Sequence, residues 1–88
     1  MKKKAVRSAI DNETRTRILV CLGTGTKTVN ELCSVCSMSQ SAVSQHLMKL
    51  RASGAVESVR KGREQLYRAT DRRLVELCRS IINLTRRS

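Results

Sequence analysis

The stretch from Thr28 to Gly54 constrains the fold most, because it holds two apolar runs of helical period separated by a break of only a few polar residues. Thr28 is an N-cap residue, and Glu31 three positions later completes a capping-box pattern. The run that follows buries Val29, Leu32, Cys33 and Cys36 on one face. Ser37, Met38 and Ser39 interrupt it, and Ser39 or Gln40 starts the next helix. There Val43, Leu47 and Leu50 recur at i, i+4 and i+7, and Gly54 stops the run. Two helices joined so tightly must cross at a steep angle. They need other elements to cover them.

The flanking sequence supplies those elements. Residues 1–10 are a basic lead-in that can form a short helix. Asp11 or Asn12 can cap a further helix, with Glu13 in its first turn and Ile18, Cys21 and Leu22 as its buried face. Gly23 and Gly25 end it. After Gly54 the period changes: 55–60 and 65–69 are expected as strands, with Lys61-Gly62-Arg63 turning between them. Asp71 can cap a last helix whose stripe is Leu74, Leu77, Cys78, Ile81, Leu84 and Thr85. The expected fold is mainly α with a small β-hairpin, in the order α-α-α-α-β-β-α, a winged helix-turn-helix. We expect one domain over 1–88: lead-in 1–10, helix-turn-helix 28–53, wing 55–70 and dimerisation helix 71–86.

Composition decides what else such a fold needs. The 88 residues include no Phe, no Trp and one Tyr, so aliphatic side chains must build nearly all of a small core. A core this modest, with an apolar stripe on the last helix, predicts a homodimer through the terminal helices, with Leu74, Leu77, Cys78, Ile81 and Leu84 at the interface. The net charge of +11 predicts a polyanionic partner. The longest apolar run, Ile18 to Leu22, is far too short for a membrane span. No apolar stretch follows the basic start at Met1-Lys2-Lys3-Lys4, so no secretory signal is read and a cytoplasmic location is expected.

Duplex DNA is the expected partner. The second helix of such a pair, residues 40–52, lies in the major groove. Gln40, Ser41, Ser44 and Gln45 can donate and accept, as base edges require. A solvated surface face would have similar composition. The short turn, the hairpin and the charge favour base contact. Ser39 lies near the helix N-terminus, where phosphate binds well. Arg60, Lys61 and Arg63 surround the hairpin turn and suit the DNA backbone or minor groove, although polar turns are common. Lys2, Lys3 and Lys4 fit backbone contact and a solvated tail equally. A sequence-neutral nucleic-acid-binding architectural protein is the alternative. The lack of aromatic platforms argues against single-strand recognition.

The run SQSAVSQHLMKLRASG from Ser39 to Gly54, followed by KGREQLYR from Lys61 to Arg68, resembles the ArsR/SmtB (arsenical-resistance-repressor) family of transcription regulators. The resemblance spans about residues 11–85. It implies a homodimeric winged-helix repressor that occupies a promoter, with family recognition residues falling on Gln40, Ser41, Ser44 and Gln45. It also implies a helix-anchoring or phosphate-side role for His46.

Family members often release DNA on binding a metal or meeting a thiol oxidant. Glu31-Leu32-Cys33 resembles the start of the family's arsenic-site signature, but position 35, where the second Cys belongs, is Val. Cys33 and Cys36 are helical neighbours and remain a candidate redox or soft-metal pair. The family's zinc site on the last helix is not matched, because Asp71-Arg72-Arg73 lacks the His and no His follows His46. Packing is the favoured role for Cys21, Cys33, Cys36 and Cys78, since free Cys behaves as a small hydrophobe. No cofactor is expected. No enzymatic constellation is found: Cys33-x-x-Cys36 does not follow a strand, and no phosphate loop occurs.

Overall fold

A computed structural model describes residues 2–86. Met1, at the head of the basic lead-in, lies outside the described residues, as do the last two positions. Five helices and one hairpin follow in order: α1 (Lys3–Ile10), α2 (Glu13–Leu22), α3 (Val29–Cys36), α4 (Gln40–Ala52), β1 (Val56–Lys61), β2 (Glu64–Ala69) and α5 (Arg72–Arg86). This is the expected α-α-α-α-β-β-α order of a winged helix-turn-helix. Among the described residues, no helix is long and apolar enough to cross a membrane.

Short polar side chains set the helix starts. Of the two caps open in the sequence, Asn12 is used: its Oδ1 accepts from Arg15 N at 3.1 Å. Thr28 and Glu31 form the reciprocal capping box, at 3.1 and 2.9 Å. Ser39 Oγ accepts from Ala42 N at 3.2 Å, so α4 begins at Gln40. Asp71 accepts from Arg73 N at 2.8 Å and also holds the Arg73 guanidinium. That contact pulls the half-buried Asp71 carboxyl down to about 2.

Helix α2 is the hub, packing against α1, α3, α4, α5 and β2. It therefore buries more than one stripe. Ile18, Leu19 and Leu22 are fully enclosed, whereas Cys21, expected on that face, is half-buried. Thr16 is buried too, and its hydroxyl donates to the Ala9 carbonyl at 2.6 Å, fastening α1 to α2. Leu32 and Cys36 from α3, with Val43, Leu47 and Leu50 from α4, complete the core beneath the helix-turn-helix.

Strands β1 and β2 pair antiparallel with Lys61 opposite Glu64. The turn is thus the two residues Gly62 and Arg63, and each strand extends one residue further toward it than the sequence suggested. Gly62 has φ +64°, which glycine adopts without a Cβ penalty. A bridge between Lys27 and Tyr67, with backbone hydrogen bonds of 3.0 and 2.8 Å, adds a partner at the hairpin's other edge. It ties the wing to the chain entering α3.

The last helix departs from the expectation. Leu74 and Cys78, assigned above to a dimer interface, are enclosed within their own chain together with Val75. They are used because α5 packs along α2. Leu77 and Leu84 stay exposed, at 40% and 73%, and Ile81 is half-buried. The apolar surface left on α5 is thus narrower than the stripe in the sequence.

Candidate DNA-binding surface

The turn between α3 and α4 fixes the aim of α4. Ser37 ends α3 in the left-handed conformation, φ 55°, and Met38 N closes the turn on the Cys33 carbonyl at 3.1 Å. Val43, Leu47 and Leu50 bind one side of α4 to the core. The other side turns to solvent. Gln40, Ser41 and Gln45 are exposed there and Ser44 is half-buried, so the four candidate base-contacting residues share one accessible surface. Ser39 is exposed at its N-terminal end.

Two residues of this surface are missing from the sequence reading. Met48 is 73% exposed, one turn beyond Ser44 and Gln45, where its apolar tip can meet a thymine methyl. Arg51, one turn further, is also exposed. The periodicity of α4 held the signal: a Met outside the Val43–Leu47–Leu50 stripe has no core to enter.

His46 lies between the buried and exposed sides, with Nδ1 buried and unpaired among the described residues. Burial, then Arg15 and Lys49, lowers its pKa from the ordinary value. That favours the neutral form of the ring. That suits an anchoring role better than a cationic phosphate contact.

Arg60, Lys61 and Arg63 are all exposed at the tip of the hairpin, and none is ion-paired among the described residues. Lower on the wing, Arg68 pairs with Glu57 at 3.1 Å. That bond is solvent-exposed and adds little stability. A cleft lined by Asn30, Gln40, Glu64 and Gln65 separates the wing from the start of α4.

The thiols are arranged differently from the Cys33/Cys36 pair considered above. Cys36 is pushed up to about 12, by burial first and then by a hydrogen bond with the Cys21 thiol of α2. Cys33 lies close as well. Burial alone pushes Cys78 up to about 11. Thiolate is the reactive form, so Cys36 and Cys78 should stay unlabelled by iodoacetamide at pH 8 in the folded protein. Both should react fully in denaturant, and mass spectrometry of the labelled peptides checks this. Among the described residues, no group of three or more His, Cys, Asp or Glu side chains is placed to hold a metal ion.

A hub helix, a capped helix pair with a polar outward face and a basic two-stranded wing define a winged helix-turn-helix domain. The model of bacterial regulatory proteins of the arsR family matches residues 12–58, and the chain belongs to that family. It is 40% identical over 63 residues to the HTH-type transcriptional repressor SmtB of Mycobacterium tuberculosis, covering 72% of this chain and 47% of the repressor. The chain thus spans about half the length of that relative. Among solved structures it is similar to the transcriptional repressor BigR from Xylella fastidiosa, with TM-score 0.77, 26% identity, and 92% and 82% of the two chains covered. It is also similar to a homodimeric winged helix-turn-helix DNA-binding domain from Mycobacterium bovis, with TM-score 0.74, 27% identity, and 92% and 75% covered.

Proposed function

We propose that this chain is a sequence-specific repressor that binds duplex DNA as a homodimer. The outward face of α4 carries the reading: Gln40, Ser41, Ser44 and Gln45 are offered together while three buried aliphatics hold the helix in place. Each protomer lays α4 in the major groove, where the two amides and two hydroxyls read base edges. The wing cations Arg60, Lys61 and Arg63 bind the flanking backbone or minor groove, and Ser39 serves phosphate at the start of α4. Two copies join through Leu77, Ile81 and Leu84 of α5, near Ile10 of α1. The two recognition helices then meet successive major grooves about 34–36 Å apart on a near-palindromic site. The reading requires no cofactor.

The test separates the two kinds of contact. Gln40→Ala or Ser44→Ala should relax base preference by roughly 1–3 kcal/mol, while Arg63→Ala should weaken all duplexes alike and flatten the salt dependence. Competition binding with selected and random duplexes measures both. Equal losses on both duplexes for every variant would overturn the assignment of roles.

A further inference from the structure

Away from the wing, a groove of about 420 Å³ opens between α1, α2 and the C-terminal end of α4. Lys4 and Arg7 from α1, Arg15 from α2 and Lys49 from α4 line it, together with Ser53 and with Asp11 as the single carboxylate. Lys4 and Arg7 stand one turn apart on α1, a like-charge spacing that disfavours the helix. Burial of Ala5 and Ala9 holds that helix down, so its charged side is fixed over the groove. Arg15 is fixed too, because its Nε donates to the Ser8 carbonyl at 2.7 Å. None of the four cations is in an ion pair among the described residues, whereas Arg72 and Arg73 of α5 both are. Stability does not explain cations gathered from three elements and left unneutralised.

We propose that this groove seats the sugar-phosphate backbone of the same duplex that α4 reads, as a contact separate from the wing. The inference rests on the proposed function. The placement follows from helix dimensions. Lys49 lies about 13 Å along the α4 axis from Gln40, and the major groove is about 12 Å wide. Nine residues are also about two and a half turns, so Lys49 projects from the side of α4 opposite Gln40, toward the phosphate strand that borders the groove the helix fills. Lys4 and Arg7 line the same protein groove beside Lys49 and, with Arg15, supply the rest of its positive charge.

The experiment compares two triple variants that each remove three positive charges: K4Q/R7Q/K49Q in the groove, and R72Q/R79Q/R86Q on α5. Operator affinity is measured against salt concentration, with hydroxyl-radical footprints of each complex. The groove variant should reduce the slope of log K against log salt by about 5 for a dimer, at roughly 0.9 per phosphate. It should also lose protection at the outer ends of the footprint while keeping the preference for operator over random duplex. The α5 variant should change the slope by less than about 1. Equal slopes and footprints for the two variants would reduce the groove to general charge and overturn the inference. Saturable binding of inorganic phosphate or pyrophosphate to DNA-free protein, followed by amide shifts of Arg7 and Lys49, would also overturn it in favour of a small-anion site. If the unaltered protein shows no preference for any duplex, the proposed function itself fails.

Discussion

Replacing Leu77 and Leu84 with Glu should turn the proposed dimer into a monomer and lower operator affinity by roughly 100- to 10,000-fold. Two half-sites bound by joined modules gain that much from effective concentration alone. The same change should leave the protomer folded. Both side chains are exposed on the single chain, and Leu74, Val75 and Cys78 anchor α5 from its other side. Surface substitutions of this kind alter stability by about 0.5 kcal/mol or less, so helical content and melting should barely move. Sedimentation gives the mass, and binding to whole and half operators gives the affinities. A variant that remains dimeric would place the interface elsewhere.

Leu22→Ala should have the opposite profile, with a large loss of stability. Leu22 is fully enclosed at the end of α2, the helix that packs against four other helices and the wing. Truncation removes the transfer energy of its side chain and leaves a cavity that the hub cannot close, about 2–5 kcal/mol in all. A small domain holds only about 5–15 kcal/mol. At about 4–8 °C for each kcal/mol, the melting temperature should fall by about 8–40 °C. Met48→Ala is the control, since Met48 is 73% exposed and should leave melting unchanged while touching DNA recognition. Thermal denaturation followed by circular dichroism compares the two. A fall of only a few degrees for Leu22→Ala would mean that α2 is not the centre of the core.

What the sequence showed in advance was local. A cap is decided within four residues, so Thr28 with Glu31 and Asp71 could be read directly, the start of α4 was legible only as Ser39 or Gln40, and α4 runs over the expected residues 40–52. The candidate base-contacting residues follow from those starts and from the spacing of Val43, Leu47 and Leu50. Non-local features could not be read in this way. The Lys27–Tyr67 bridge joins positions 40 residues apart. The Cys21–Cys36 contact depends on how α2 crosses α3. The apolar run of α5 contains more positions than one contact uses, and periodicity alone cannot divide Leu74 and Cys78 from Leu77 and Leu84. The basic groove assembles charges from three helices whose sequence positions give no hint of a common site.

In the proposed dimer, the two-sided use of α5 also sets the gauge of the whole assembly. One side is keyed to α2 inside the protomer, and the other is left for a second copy, so the angle between them fixes how far apart two α4 helices are carried. That angle is a matter of helical phase. Inserting one residue between Cys78 and Ile81 would rotate everything after it by about 100°, which parts Leu77 from Ile81 and Leu84 and moves Ile82 away from Glu13 and Arg17 of α2. The protomer would keep a complete α4 and wing but lose the continuous seam, so two copies would no longer hold their α4 helices at the spacing of one operator. In this architecture operator spacing is written in α5, a helix assigned no contact with a base pair.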